Sequence, residues 1–236
     1  MCQLRAGRES IQHRADSLRG ANMRIQDHLL FHDNGQQVPF KATPNHGAAL
    51  NPSYLVMHYT AGRSFQSSVD WFMRPEAKAS AHIVIGRGGE ICQLVPFDKQ
   101  AWHAGVSNYG GLVGLNKHSI GIELDDAGKL TRQGGKWTAW FGATYPDTDV
   151  LEATHEHETR PAGWHIYTEP QMTAAIDAGL AIVSAYGLVD VLGHDDIAIG
   201  RKTDPGPAFP KASYRAKLFG RNQAVSFWDR LLALFG

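Results

Sequence analysis

The hydrophobic pattern changes period several times along the chain, and each change marks an element. Tyr54 to Tyr59 (YLVMHY) is almost continuously apolar, as for a strand buried on both faces, and Thr60, Ala61 and Gly62 end it. His58 therefore falls at a strand's C-terminal edge, where open α/β sheets bind ligands. Ser67 to Met73 reads as a short helix, with Ser67 as N-cap and Val69, Phe72 and Met73 turned inward. Ala81 to Ile85 and Glu90 to Val95 read as two strands joined in a hairpin through Gly88 and Gly89. In Ser119 to Leu124 (SIGIEL) the residues alternate. Ile120, Ile122 and Leu124 take one face, and Ser119, Gly121 and Glu123 take the other. Thr168-x-x-Gln171, with Pro170 in the first turn, has the form of a capping box opening a helix. Met172, Ile176, Gly179, Leu180 and Val183 follow one face of that helix and Gly187 ends it. Val191 to Gly193 is a short strand that delivers His194.

These elements predict an α/β (mixed α+β) fold, a central mixed β-sheet with helices packed on its faces. Residues 126–168 hold several Gly, Trp and Thr without a clean period and read as a long loop insertion. The charged segment 1–22 reads as an N-terminal arm, either an upstream start or disordered, before a domain over 23–220. Residues 221–236, after Gly220, have the pattern of an amphipathic helical tail that packs back on the domain or meets a membrane or partner.

Composition narrows the function. Lys plus Arg equals Asp plus Glu at 23 each, so no basic field gathers nucleic acid. Cys2 and Cys92 form no CxxC pair, which argues against thiolate zinc and a disulfide framework. No apolar run is long enough to span a bilayer, and the start lacks the apolar core of a secretory signal. The expected location is cytoplasmic, with release to the cell wall by another route as the alternative.

The densest chemistry lies in VLGHDDIAIGRKTDPGPAFP, residues 191–210, where Gly200, Pro205, Gly206 and Pro207 argue against a regular helix. It carries His194, Lys202 and Asp204, the last two in register for one side of an extended backbone. With His58 they read as an open zinc site, two imidazoles and one carboxylate leaving a position for water. Glu123, a carboxylate in an otherwise apolar strand, reads as the general base, with Gly121 leaving room beside it for substrate or water. Lys202 reads as a fixed cation for a developing oxyanion, against a bland role as a surface lysine or a partner of Asp195 or Asp196. His155, His157, Glu158 and His165 read as a solvated polar loop rather than a second metal site. His82 and His118 read as structural, and Cys92 as a small buried hydrophobe.

Four blocks, YLVMHYTAG, SAHIVIGRGGEICQLVPFDKQAWHAG, HSIGIELD and VLGHDDIAIGRKTDPGPAFP, together resemble one family. It is that of the zinc-dependent N-acetylmuramoyl-L-alanine amidases, shared with T7-type lysozyme and peptidoglycan recognition proteins. The resemblance covers about residues 52–212 and is nearest the bacterial branch acting on muropeptides and peptidoglycan stems. It implies zinc on His58, His194 and Asp204, a catalytic Glu123 and a catalytic Lys202. The implied reaction is hydrolysis of the amide between N-acetylmuramic acid and L-alanine. Trp102 offers a flat face to a sugar or stem peptide, His103 a hydrogen-bond donor, and Tyr59 a wall of the cleft. The family often has Pro where this chain has Ile199. The runner-up reading is a non-catalytic peptidoglycan-binding module of the same fold; a metalloprotease is disfavoured because HExxH is absent.

Overall fold

The protein is described by a computed structural model over residues 22–221. The expectations for residues 1–21 and 222–236, the N-terminal arm and the C-terminal tail, lie outside the described residues.

The framework is a five-stranded sheet. Its strands are β1 (Tyr54–Tyr59), β2 (Ile83–Ile85), β3 (Ile91–Gln93), β4 (Ser119–Leu124) and, much later in the chain, Asp190–Gly193. After β4 a second sheet is built from β5 (Lys129–Gln133), β6 (Lys136–Thr138), β7 (Thr144–Tyr145), β8 (Val150–Thr154) and β9 (Pro161–His165). Asp190–Gly193 is therefore β10, and the central sheet runs β10-β1-β4-β2-β3. The β10/β1, β1/β4 and β4/β2 pairs are parallel, and the β2/β3 hairpin is antiparallel. The mixed sheet is the one the sequence pattern implied.

The helices are α1 (Phe65–Phe72), α2 (Glu169–Tyr186), α3 (His194–Ile197) and α4 (Lys211–Phe219). Alternation along the parallel strands gives the sheet two faces. Leu55 and Met57 of β1, Ile120, Ile122 and Leu124 of β4 and Ile83 and Ile85 of β2 share a buried cluster with Ala174, Ala175, Ala178 and Ile182 of α2. Small residues let α2 lie close to the sheet. At Gly179 of α2 an added Cβ would stand 2.6 Å from the Tyr214 hydroxyl, so α4 needs that glycine to pack. The opposite face of β1 and β4 carries His58 and Glu123, away from α2.

Several boundaries differ from expectation. Helix α1 starts earlier, at Phe65: Ser64 is its N-cap, accepting from the Ser67 backbone N–H, while the Ser67 hydroxyl reaches back to the Ser64 N–H. Ser67 thus closes a reciprocal cap that the sequence reading placed one turn late. At α2 only half of the expected box forms. The Thr168 hydroxyl accepts from the Gln171 N–H, but the buried Gln171 amide donates to the Ile85 and Asp125 carbonyls, joining the helix to the sheet. Residues 194–197 form one helical turn, α3, before the glycines and prolines take over.

The larger correction concerns residues 126–168, which form β5–β9 and not a loop. Their strands are two to five residues long and largely exposed, so alternation has little room to register. What holds them is local. Trp137, Leu130, Ala127 and Ala139 make a small core of their own, and the Arg132 guanidinium lies 4.4 Å from the Trp137 ring centre. Buried polar pairs tie this sheet to the framework. Asp126 receives Arg87 Nη1 at 3.0 Å and lies 3.0 Å from His165 Nδ1. His155, also buried, donates from Nε2 to Asp195 at 3.0 Å while its Nδ1 accepts the His157 N–H. His155 and His165 are therefore internal struts, contrary to the solvated-loop reading; His155 braces the residue next to His194. His82 is buried as expected, its Nδ1 accepting the Gly121 N–H and its Nε2 donating to the Lys99 carbonyl. Cys92 is a free buried thiol.

Candidate metal centre and active site

Strand register alone sets three groups in a row. Glu123 pairs with His58 across β4 and β1, and Gly193 pairs with Met57, so His194 follows level with His58. Neighbouring strands lie about 4.8 Å apart. His194, His58 and Glu123 thus stand side by side at the C-terminal edge of the sheet. Asp204 is returned to them by the loop after α3, anchored by the Asp195 N–H donating to the Asp204 carbonyl at 2.9 Å.

The side chains converge tightly. His58 Nδ1 lies 3.0 Å from His194 Nδ1 and 2.9 Å from Asp204 Oδ2, and His194 Nδ1 lies 3.0 Å from the same oxygen. All three residues are buried. The outer ring nitrogens decide the tautomers. His194 Nε2 faces the Ala104 carbonyl at 3.1 Å, which only accepts, so it carries the proton and leaves Nδ1 a lone pair. His58 Nε2 faces His103 Nδ1 at 3.0 Å, and His103 Nε2 faces the Ser119 carbonyl at 3.4 Å. That chain makes His103 an acceptor toward His58 and again leaves a lone pair on the inner Nδ1. Two lone pairs and a carboxylate aimed at one point form a donor set for a divalent cation, with each imidazole backed by an outer acceptor.

Electrostatics agree. Burial, with His194 beside it, lowers the His58 pKa to about 4, which keeps the imidazole neutral at physiological pH. Burial pushes Asp204 upward, but the nearness of His194 and His58 outweighs it and holds the carboxylate well below its usual range, so it stays ionised beside the two lone pairs and calls for a cation between them. Glu123 is the opposite case. Burial, then the Asp204 charge, raise its pKa to about 8 against the pull of Lys202. Its Oε2 is buried with no hydrogen-bond partner among the described residues. A buried carboxylate left unpaired beside a metal-type donor set is poised to exchange a proton.

Lys202 is half-buried, and its charge reaches both His58 and Glu123. The partners considered for it, Asp195 and Asp196, are taken by Lys211 at 3.4 and 2.8 Å. Tyr59 is half-buried, its hydroxyl 2.9 Å from Thr203 Oγ1, next to Asp204. Trp102 is half-buried, with its backbone N–H held by Ser80 Oγ at 2.9 Å. His103 is buried, its ring edge-on to that of His58 with centres 5.1 Å apart. A Cβ on Gly121 would come 2.5 Å from His103 Cγ, so the space that Gly121 leaves is filled by this ring and not by substrate or water. Asn116 had no sequence signal: its Oδ1 receives the His103 and Ala104 N–H groups at 3.0 and 2.7 Å, fixing the carbonyl that accepts from His194.

A second group, His155, Glu156 and Asp195, also brings ligand-type atoms together. The Lys211 ammonium already lies 3.4 Å from Glu156 and Asp195, so this cluster is a salt-bridge network. Among the described residues no helix is long and apolar enough to cross a membrane.

Comparison with known proteins agrees with the geometry. The chain is 39% identical over 140 residues to the 1,6-anhydro-N-acetylmuramyl-L-alanine amidase AmpD of Escherichia coli, covering 58% of this chain and 57% of that protein. With AmpD of Citrobacter freundii it shares 34% identity over 185 residues, 70% of this chain and 80% of that protein. It thus spans little more than half the length of some of these relatives. The structure of the Escherichia coli amidase AmiD, solved with anhydro-N-acetylmuramic acid-L-Ala-D-gamma-Glu-L-Lys, superposes with a TM-score of 0.55 at 27% identity, covering 83% of this chain and 65% of that one. The N-acetylmuramoyl-L-alanine amidase family matches residues 48–207, more than half of the chain, with His58, Glu123, His194, Lys202 and Asp204 all inside the match. The chain belongs to the N-acetylmuramoyl-L-alanine amidase family.

Proposed function

We propose that the chain hydrolyses the amide joining the lactyl carbonyl of N-acetylmuramic acid to L-alanine of a muropeptide, with zinc held by His58, His194 and Asp204. The carrying observation is that triangle of ligand atoms with edges of 2.9 to 3.0 Å, beside the unpartnered Glu123. A two-imidazole, one-carboxylate set supplies three protein ligands and so suits zinc, which when bound would polarise the scissile carbonyl and activate a water.

In this reading Glu123 takes a proton from the attacking water and hands it to the departing L-alanine amine. Hydroxyl is added to the carbonyl carbon, the C–N bond breaks, and the products are a lactyl carboxylate and a free peptide. Lys202 holds its positive charge near the carbonyl oxygen as that oxygen becomes negative. His103 and the Ala104 carbonyl keep both ligand rings in the binding tautomer. Trp102 and Tyr59 line the approach of sugar and peptide. The relatives' names and the muropeptide bound to AmiD favour a soluble anhydro-muropeptide as substrate. Intact Glu123 and Lys202 favour turnover over a binding module.

The test is a comparison of the zinc-loaded chain on soluble anhydro-muropeptide and on intact sacculi, following release of L-Ala amino termini. Faster release from the soluble substrate is expected; release from neither would leave the binding-module reading.

A further inference from the structure

We propose that the tip of the β6–β7 hairpin, with Arg63, forms a subsite for the stem peptide beyond L-alanine, recognising the free carboxylate of its D-γ-glutamyl residue. This rests on the amidase reading and adds to it where the peptide lies.

The hairpin turns over at Ala139–Ala143, closed by the Ala139 N–H to the Ala143 carbonyl and by the Gly142 N–H, at φ +89°, to the Ala139 carbonyl. Its tip presents Trp140 and Phe141. Trp140 is 77% exposed, unusual for an indole, yet it is not loose. Its Nε1 donates to the Ala61 carbonyl at 2.7 Å, and its ring meets Phe141 edge-on with centres 5.7 Å apart. Arg63 sits over Phe141 at 5.3 Å and donates from Nη2 to the Phe141 carbonyl at 3.3 Å. That leaves an indole face and the rest of the guanidinium open to solvent.

The location ties this patch to the site. Ala61 follows His58 by only three residues, so the indole is anchored within about 10 Å of chain from a ligand. A large apolar ring fixed in water gains free energy when a ligand covers it. Arg63 selects the occupant. Once the lactyl group is amide-linked, the muramyl end has no free carboxylate, whereas a γ-linked glutamate leaves its α-carboxylate free; the C-terminal carboxylate is the other anion of the peptide, and amidating the glutamyl α-carboxyl separates the two. A guanidinium beside an aromatic platform suits that anion and the flat peptide next to it.

The test compares the zinc-loaded parent with Trp140→Ala and Arg63→Met, two surface changes. The substrates are anhydro-N-acetylmuramic acid carrying L-Ala alone, the L-Ala-D-γ-Glu-L-Lys form, and that form with the glutamyl α-carboxyl amidated. Each variant should raise KM on the tripeptide form about 3- to 10-fold with kcat unchanged. Neither should alter KM on the L-Ala form, and Arg63→Met should have no effect on the amidated form. Equal KM increases on all three substrates, or none on any, would overturn the subsite. If the parent cleaves none of them the amidase reading fails. Calorimetric binding of free L-Ala-D-γ-Glu-L-Lys to parent and Arg63→Met then decides the subsite alone, with weaker binding to the variant expected and equal binding overturning it.

Discussion

Replacing Glu123 by Gln should stabilise the metal-free protein while abolishing its chemistry. The carboxyl is 9% exposed, its Oε2 has no partner among the described residues, and burial raises its pKa from 4.5 to about 8. The folded state therefore holds this proton to higher pH than the unfolded chain does. As pH rises from 4.5 toward 8 the unfolded state gains ionisation free energy that the fold lacks, and the fold loses stability. At about 1.4 kcal/mol per pH unit, the loss above pH 8 is at most about 5 kcal/mol. Gln keeps the shape and cannot ionise. Urea-unfolding free energies of chelator-treated parent and variant should nearly coincide near pH 4.5 and separate by several kcal/mol near pH 8, with the variant the more stable. Titrating groups remote from Glu123 cancel in the difference, whereas Asp204 and Lys202, which feel its charge, contribute to it. A parent-minus-variant gap that is flat with pH would show that Glu123 is solvated and refute the reasoning. Loaded with zinc, the variant should keep the metal and lose about 10²- to 10⁴-fold in turnover.

Other outcomes follow from the same geometry. His194→Ala should lose both bound zinc, measured by elemental analysis, and muropeptide cleavage, because it removes one of the three ligands proposed for the metal. His58 has a folded pKa of about 4 against 6.5 when free, so metal-free stability should fall as pH drops from about 6.5 toward 4. Zinc occupancy at fixed free zinc should fall with it, read by equilibrium dialysis. Gly121→Ala would place a methyl 2.5 Å from the His103 ring; it should cost about 1–3 kcal/mol in urea unfolding and weaken zinc affinity about 10- to 100-fold by displacing the acceptor behind His58.

Much of the site was readable because the chemistry sits on strong signals. SIGIEL is a six-residue strand with its face pattern intact, and parallel register then sets Glu123 beside His58 without any side-chain information. The glycine- and proline-rich loop after His194 marked Asp204, the third member of the donor set. What stayed hidden depends on groups distant in sequence. His103 and Gly121 fit each other across 18 positions, and nothing in either local pattern says that a glycine makes space for a ring rather than for substrate. Asn116 works through two backbone N–H groups, and Trp140 through one hydrogen bond to Ala61. The second sheet escaped because its strands are short and hold together by Trp137, Arg132 and the buried Asp126 and His155 pairs instead of an alternating face. For the same reason α1 was placed late: Ser64 and Ser67 are both good caps, and only the reciprocal hydrogen bonds distinguish N-cap from third residue.

The most direct test is mass spectrometry of soluble anhydro-N-acetylmuramyl tripeptide incubated with the chain carrying one zinc per molecule. Hydrolysis at the lactyl amide gives two fragments, free anhydro-N-acetylmuramic acid and a tripeptide beginning with L-alanine, and both should accumulate together. An unchanged substrate with zinc in place, or cleavage at any other bond, would contradict the assignment of His58, His194, Asp204 and Glu123.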